Sequence, residues 1–284
     1  MSTLRQFEYL VTVIDTGSFT RAAELLHVSQ PALSHQIRAL ERATGATLLE
    51  RSPVRPTPMG RAMLPHARAA LAAAETARLA ARRAGALDEG ELRLAAVYSV
   101  TLGLLPGVLR AWRQRHPRVR VRVFEHRHAD ELTAAMAAGQ ADLAIGPRPP
   151  ASWPGRVFTV RREDFLLVKA HEPDAGATTM AAYAEVDWVL YAPGNGLADV
   201  VVQACAAAGF TPRAAVHIEQ TAAVPLLAAA GLGVALVPAG AVPPGLDAEL
   251  IRPDPPIVRD LVAYARDEPD PLAAAFVALL TSGR

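Results

Sequence analysis

Residues 17–41 read GSFTRAAELLHVSQPALSHQIRALE, and this stretch decides the fold of the N-terminal part of the chain. Ser18 can cap a short helix, in which Ala22 and Ala23 leave room for another helix to cross closely. Ser29 is a second candidate cap, and Pro31 suits the first turn of a longer helix because its missing N–H is not needed there. The stretch therefore predicts two helices joined by a tight turn.

The second of these helices has an apolar side and a polar side. At about 100° per residue, Leu33, Ile37 and Leu40 fall together and should face a core. The opposite side carries Gln30, Pro31, Ser34, His35 and Arg38. Its amide, hydroxyl, imidazole and guanidinium groups suit base edges and phosphates in a major groove, although an ordinary solvated face would look similar. Such a pair of helices is typical of the helix-turn-helix arrangement.

A short basic hairpin and a long alanine-rich helix follow. Residues 47–51 and 54–57 are predicted strands, and beside a recognition helix they form a wing that brings Arg51 and Arg55 to phosphates or to the minor groove. The helix predicted over residues 59–84 would span about 40 Å. Apolar residues recur every three or four positions along this helix, which favours pairing with the same helix of a second copy of the chain. The alternative is a helix that is surrounded by solvent and serves as a spacer.

Residues 17–41 strongly resemble the DNA-binding domain of LysR-type transcriptional regulators, and residues 45–60 resemble that family's wing and the start of its linker helix. The resemblance implies that the polar face of the recognition helix approaches DNA, with Arg51 near the backbone. The DNA-contacting residues expected from pattern and resemblance together are Ser18, Thr20, Ser29, Gln30, Pro31, Ser34, His35, Arg38, Arg51 and Arg55.

Charge and cysteine content limit the partners and the compartment. Residues 1–87 carry 11 arginines against six acidic residues, whereas the remainder carries 18 basic and 22 acidic residues, which indicates an anionic partner for the first part only. The single cysteine, Cys205, excludes an internal disulfide and fits a reducing compartment. Glu8 and Asp15 argue against an export signal, and prolines and glycines interrupt the charge-free residues 220–246. We therefore expect a cytoplasmic protein with no membrane partner.

From residue 88 onward, strands alternate with helices, which favours parallel α/β sheets in two halves divided near residues 146–161. The predicted strands are 92–97, 119–124, 143–145, 165–168, 188–191, 215–218, 234–237 and 261–265. The predicted helices are 104–115, 129–138, 197–208, 222–230 and 271–280. This order of elements resembles the LysR-type effector domain, which is itself similar to type 2 periplasmic binding proteins.

The expected protein is thus multidomain. An all-α winged helix-turn-helix covers residues 1–58, and a long linker helix for dimerisation covers 59–87. A two-lobed α/β effector-binding domain covers residues 88–284. Its lobe I takes about 88–160 and 266–284, and its lobe II about 161–265.

Ligands in such folds bind beyond the carboxyl ends of strands, often between two lobes. The residues expected around the ligand are Ser99, Val100, Thr101, His128, Gly146, Asn195, Gly196, Leu197 and Gln220. Of these, Ser99, Thr101, His128, Asn195 and Leu197 are also implied by the family resemblance. Helix N-termini near Thr101 and Leu197 would present free N–H groups, which suit a small anion.

The sequence lacks the markers of a catalytic or metal site. His126 and His128 have no third strong metal ligand near them in the sequence. Gly231-Leu232-Gly233 lies between a helix and the next strand, whereas the glycines of a dinucleotide-binding motif lie between a strand and the next helix. The nucleophile-elbow and P-loop patterns do not occur. We therefore expect no enzyme activity, no metal and no cofactor.

These observations predict a LysR-type regulator whose promoter binding or activation is modulated by a small-molecule effector between the lobes. The expected partners are double-stranded promoter DNA, a small anion or carboxylate, RNA polymerase, and further copies of the chain in a homodimer or homotetramer. Two alternatives stay open, a DNA-bound assembly scaffold without an effector and an enzyme built on the α/β domain.

Overall fold

A computed structural model describes residues 2–83, 90–171 and 177–282. Residues 2–83 form an N-terminal unit, with which residues 137–140 are grouped, and the other described residues form a C-terminal unit. In these ranges, none of the helices combines the length and the apolar character that crossing a bilayer requires.

The N-terminal unit is a helix-turn-helix with a wing. Its elements are α1 (Leu4–Thr16), α2 (Phe19–Leu25), α3 (Gln30–Thr44), β1 (Leu49–Arg51), β2 (Val54–Pro56) and α4 (Pro58–Arg83). Ser18 and Ser29 cap α2 and α3, because each hydroxyl accepts a hydrogen bond from a backbone amide of the first turn. Gly17 and Gly45 end α1 and α3 in the left-handed conformation that glycine adopts without strain. The predicted caps and helix ends are confirmed.

The core of this unit is formed by the inner faces of the first three helices and the base of the wing. Leu33, Ile37 and Leu40 are completely buried, as the helical periodicity predicts. They pack in one cluster with Leu10 and Val13 of α1. The orientation of α3 is thereby fixed, and its polar side is left outside.

The first half of α4 also packs within its own chain. Ala67 is buried, Met63 packs against the core cluster, and Arg68 forms an ion pair with Asp15 of α1. The first half of α4 is therefore not a solvated spacer, because it contributes to the core of its own unit. Residues 84–87, the end of the expected linker, lie outside the described residues.

The C-terminal unit alternates strands and helices. Its strands are β3 (Gly90–Val97), β4 (Val119–His126), β5 (Leu143–Pro147), β6 (Val157–Lys169), β7 (Asp187–Tyr191), β8 (Arg213–Ile218), β9 (Ala235–Pro238), β10 (Glu249–Ile251) and β11 (Val258–Tyr264). Its α-helices are α5 (Tyr98–Gly103), α6 (Leu105–Arg115), α7 (Ala129–Ala137), α8 (Gly196–Ala207), α9 (Ala223–Ala229) and α10 (Pro271–Thr281). Two short 3-10 helices cover Met180–Tyr183 and Ala239–Ala241. The predicted elements did not include α5, β10 or the first half of β6.

The sheets are mixed, not wholly parallel as expected. In the first lobe β3 runs parallel to β4 and β5, and β11 is antiparallel to both β5 and β6. In the second lobe β7 and β8 are parallel, whereas β6 continues antiparallel to β9 and β10. The antiparallel pairs arise because β6 enters the second lobe and β11 returns beside it in the opposite direction.

Each lobe has a hydrophobic core of its own. Trp112 and Phe276 lie in the first core, and Trp188 and Leu236 lie in the second. Residues 261–265 pack in the first core, although the expected boundary has the chain re-enter lobe I only at residue 266. The chain re-enters lobe I earlier because β11 lies between β5 and β6 in the sheet.

Candidate functional site

The polar side of α3 is exposed over most of its length. Gln30, Pro31, His35 and Arg38 are all exposed, and they lie on the side opposite the buried Leu33, Ile37 and Leu40. Among the other expected DNA-contacting residues, Thr20, Ser29, Arg51 and Arg55 are exposed, and Ser18 is half-buried. The exposed residues of the helix and wing therefore include hydrogen-bond donors and cationic groups, which are the groups that bind the DNA backbone and base edges.

Ser34 is the exception on this face, because it is 8% exposed. Its Oγ accepts a hydrogen bond from Nη1 of Arg51 at 3.1 Å. The helical angle places Ser34 on the outer side correctly, but the wing arginine covers it. The expectation of a freely exposed Ser34 is wrong, and its hydroxyl holds Arg51 in place.

Arg51 is held by contacts from two helices as well as by Ser34. Its guanidinium carbon lies 5.4 Å from the centre of the Phe19 ring, and Nη2 lies 3.7 Å from Oε2 of Glu41. The other carboxylate oxygen of Glu41 accepts hydrogen bonds from the amides of Leu48 and Leu49, at 2.9 and 3.3 Å. Glu41 therefore ties the base of the wing to the recognition helix. No local pattern of residues marks this role of Glu41, because the contact depends on how the chain turns after α3.

A second candidate site is a cavity of about 210 Å³ between the two lobes of the C-terminal unit. It is lined by the ends of β3, β4 and β5 and by the start of α8. Five of the expected ligand residues line it, namely Ser99, His128, Asn195, Gly196 and Leu197. Lining residues absent from the expected set are Val97, Tyr98, Arg127, Ala129, Pro147, Val200, Thr221 and Arg259.

The other four expected residues lie elsewhere. Val100 is completely buried in the core of the first lobe, since α5 begins directly after β3 and turns this side chain inward. Gly146 faces Leu132, whose Cδ2 would lie 2.8 Å from an added Cβ, so its neighbour Pro147 lines the cavity instead. Thr101 and Gln220 line two neighbouring depressions of about 220 and 350 Å³.

The start of α8 does not offer free N–H groups to an anion, contrary to expectation. The amide of Gly196 donates to the carbonyl of Arg127 at 2.9 Å, which joins the two lobes. The amide of Leu197 donates to the side-chain oxygen of Asn195 at 3.0 Å, and that of Ala198 to the Asn195 carbonyl at 2.9 Å. These donors are already satisfied, so they contribute to capping the helix and joining the lobes.

Two hydroxyl groups that line the cavity each accept a hydrogen bond from a neighbouring side chain. Thr221 Oγ1 accepts a hydrogen bond from Nδ2 of the buried Asn195 at 3.2 Å, and Ser99 Oγ accepts one from Nη2 of Arg259 at 2.6 Å. A hydroxyl that already accepts from a neighbour has its own proton available to donate. The cavity is therefore better suited to a ligand with acceptor atoms than to one with donors.

Ionisable groups lie around the cavity in pairs. His128 Nε2 lies 3.3 Å from Asp199 across the two lobes, and Arg127 pairs with Glu131 at the exposed edge. Deeper in the fold, Arg259 pairs with Glu163, which is 3% exposed. Burial raises the pKa of the nearby Tyr191 hydroxyl far above its ordinary value, so it stays neutral.

Two further observations concern metal-binding side chains and the one cysteine. Over the described ranges, no three His, Cys, Asp or Glu side chains come together in a group that could hold a metal ion. Cys205 is completely buried, and burial raises the pKa of its thiol to about 11, which keeps it in the unreactive protonated form at neutral pH.

Known proteins resemble the chain over its whole length. The family model described as bacterial regulatory helix-turn-helix protein, lysR family, matches residues 4–61, and the LysR substrate binding domain matches residues 85–283. The HTH-type transcriptional regulator IlvR of Caulobacter vibrioides is 34% identical over 98% of this chain and 97% of its own. The nitrogen assimilation regulatory protein nac of Escherichia coli is 30% identical over 84% and 78%.

Solved structures of LysR family regulators also resemble the chain. The crystal structure of CbnR, a LysR family transcriptional regulator, has a TM-score of 0.76 at 28% identity and covers 98% of both chains. Full-length CbnR complexed with its target DNA has a TM-score of 0.75 at 27% identity and covers 99% of both chains. The expected family and the expected two-module fold are confirmed. The chain therefore belongs to the LysR family of DNA-binding transcriptional regulators, with a helix-turn-helix module followed by a substrate-binding domain.

Proposed function

We propose that this LysR-family regulator senses a small anionic molecule in the cavity between its lobes and thereby changes how it engages promoter DNA. One observation carries the proposal. The cavity lies between two lobes, and its hydroxyl groups on Ser99 and Thr221 already accept hydrogen bonds, so that their protons are free for a ligand. A ligand that bridges two lobes favours the arrangement that it fits best.

For DNA, we propose that Gln30, Pro31, His35 and Arg38 meet base edges or phosphates in the major groove. Arg51 and Arg55 of the wing contact the backbone, joined by Ser18, Thr20 and Ser29 near the helix starts, and Ser34 acts by holding Arg51. Exposure of the α3 face and the excess of arginine in residues 1–87 support this assignment. Phosphate contacts of this kind supply affinity, and base contacts supply specificity.

The working assembly in this proposal is a homodimer or homotetramer, paired through the linker helix, that recruits RNA polymerase in the cytoplasm. Two copies place two recognition helices on half-sites related by two-fold symmetry. The effector shifts the balance between two arrangements of the assembly only by its difference in affinity for them. The α/β domain acts as a sensor and not as an enzyme, which fits the regulator names of the relatives.

Replacing Arg38 by alanine tests the DNA contact. We expect weaker binding to a DNA fragment from upstream of its own gene, and a salt slope reduced by about 1 if the lost contact is to a phosphate. Arg113→Ala, which removes another exposed arginine, from α6 of the C-terminal unit, is the charge-matched control. Equal affinity of the Arg38 variant and wild type across a salt titration would refute the contact.

A thermal-shift screen of small carboxylates and aromatic acids separates the three candidate functions. Stabilisation without turnover of the compound supports a ligand-responsive regulator, because a molecule that binds the folded state raises its melting temperature. Turnover of a stabilising compound favours an enzyme. No response from the intact, DNA-binding protein favours an assembly scaffold.

A further inference from the structure

We infer that a latch joins the two lobes of the C-terminal unit, and that the opening of this latch governs access to the cavity between them. The latch consists of the backbone hydrogen bond between Gly196 and Arg127 and the side-chain contact between His128 and Asp199. The inference adds a control of access to the proposed sensing site. It is tested without any ligand, so its failure and the failure of the proposed function are distinguishable.

The lobes are first connected where strands cross from one lobe to the other. β6 pairs with β11 in the first lobe and then with β9 in the second. Beside this crossover, Gly103 of α5 packs directly on the second lobe, because a Cβ added to Gly103 would lie 2.7 Å from the backbone of Gly240. Backbone therefore meets backbone at the crossover, and this contact is the expected pivot for any movement of one lobe relative to the other.

A second connection lies at another part of the cavity wall. The carbonyl of Arg127, which directly follows β4, accepts a hydrogen bond from the amide of Gly196 at 2.9 Å. A Cβ added to Gly196 would lie 3.5 Å from this carbonyl oxygen and 3.5 Å from Cδ2 of His128, so the two lobes are in close contact here. These three residues line one part of the cavity, whereas Ser99 and Arg259 line the part near the crossover. The cavity therefore lies between the two connections.

The hydrogen bonds of His128 determine which ring nitrogen carries the proton. Nδ1 accepts a hydrogen bond from the backbone amide of Asp130 at 3.2 Å, so it is unprotonated in the neutral ring. The proton is therefore on Nε2, which donates to Oδ2 of Asp199 at 3.3 Å. Asp199 lies in the first turn of α8, in the second lobe. The ring is thus oriented by its own lobe and donates to a carboxylate of the other lobe.

The strength of these contacts suits a connection that opens and closes in the folded protein. The side chains of His128 and Asp199 are 31% and 67% exposed, so their contact contributes little by itself. The backbone hydrogen bond adds a modest net stabilisation. Local opening at such a small cost is common in native proteins, and it does not require either lobe to unfold. A simpler role for Asp199 is to offset the dipole of α8, and that role predicts lower stability on substitution without any change in access.

The alkylation rate of a cysteine placed in the cavity measures access directly. Ser99 lines the cavity and is 2% exposed, so Ser99→Cys should react with iodoacetamide faster when the lobes separate more often. The native Cys205 is completely buried, and burial raises the pKa of its thiol to about 11, so it contributes little background. Every variant below is the full-length protein with Ser99→Cys, and the chain that keeps Ser99 gives the background rate.

Gly196→Pro breaks the backbone part of the latch. Proline has no N–H, and it is well tolerated at the first position of a helix, which Gly196 occupies in α8. Asn195 already has the extended backbone that a following proline requires. We expect alkylation to become more than about tenfold faster, because the hydrogen bond is lost and the proline ring crowds the carbonyl of Arg127. Gly196→Ala keeps the N–H and is the matched control, with a rate within about twofold of the unsubstituted latch.

Asp199→Ala breaks the side-chain part and leaves the cavity lining unchanged. Alkylation should become about two- to tenfold faster, as for the loss of one hydrogen bond at a partly exposed site. In a His128→Ala background, Asp199→Ala should cause no further acceleration, because the contact is already absent. His171→Ala is the matched control. It removes a histidine contact of the same length, 3.3 Å to Asp247, within the second lobe, and it should leave the rate unchanged.

Two outcomes overturn the inference. Equal alkylation rates in Gly196→Pro and Gly196→Ala would show that the backbone contact does not control access. A lower melting temperature of Asp199→Ala at an unchanged alkylation rate would assign Asp199 to the helix dipole alone. Circular dichroism and promoter binding check that each variant is folded, and if Gly196→Pro is not, the His128 and Asp199 variants decide. Because no ligand is added, the thermal-shift screen tests the proposed function separately.

Discussion

The two candidate sites of this chain are built in opposite ways. The proposed DNA-binding surface takes Gln30, His35 and Arg38 from a single helix, whereas the cavity joins Ser99 to Arg259 across a separation of 160 residues. Helical periodicity alone orients the first set, because residues three and four positions apart share a face. The second set exists only after strands of two lobes have found their register. We therefore expect a substitution in the first site to affect only its neighbours on the helix, and a substitution in the second site to affect residues far away in the sequence.

The largest effect should come from the core beneath the recognition helix. Ile37→Ala removes a completely buried side chain and should lower the stability of the N-terminal unit by about 2–5 kcal/mol, with loss of promoter binding. If the two units are independent, scanning calorimetry should leave the transition of the C-terminal unit in place. Leu25→Ala, at a position that is 62% exposed, is the matched control and should change little. A shift of both unfolding transitions together would contradict the independence of the two units.

Filling the cavity should give the next largest effect. Ser99→Phe places a ring where the ligand is proposed to bind, and it should weaken any stabilising acid by more than about tenfold, since it blocks the site and removes a hydroxyl donor. Promoter affinity without ligand should stay within about twofold of the wild-type value. That is much less than the tenfold change in affinity to which about 1.4 kcal/mol corresponds. Gln220→Ala, in the neighbouring depression, is the control. Loss of ligand and DNA binding together would indicate a folding defect instead.

A smaller effect should follow from releasing the wing. Glu41→Ala deprives the amides of Leu48 and Leu49 of their acceptor and Arg51 of its partner, at a cost of about 1–3 kcal/mol in stability. Promoter affinity should fall and depend less steeply on salt, because Arg51 is no longer held in place. Glu24→Ala removes an exposed carboxylate from α2 and is the control for charge. An unchanged salt slope would show that Arg51 does not contact the backbone.

The smallest effect should come from the helix cap. Ser29→Ala removes the acceptor for the amide of Ala32 and should lower the melting temperature by the equivalent of about 1 kcal/mol. Ser29→Asp restores an acceptor and should recover most of that stability. If promoter affinity falls in the alanine variant by much more than its stability does, Ser29 contacts DNA directly as well.

The comparison of the two sites also explains which structural features could be predicted from the sequence. The caps at Ser18 and Ser29, the buried face of α3 and most of the strands follow from local patterns, and they are confirmed. Ser34 was misjudged because a helical wheel cannot include the wing that folds over it. Arg259 and Glu163 were missed because their pairing depends on the register of β6 and β11, 96 residues apart. Val100 was misplaced because α5 starts without a side-chain cap that would mark it.

The strand β6 has a consequence for how the C-terminal unit comes apart. Its 13 residues belong to the sheets of both lobes, pairing first with β11 and then with β9 and β10. When one lobe melts, it therefore frees part of a strand that also belongs to the sheet of the other lobe, and the loss of pairing in one lobe destabilises the other. Denaturation of this unit should be all-or-none, and limited proteolysis should release no stable half-domain.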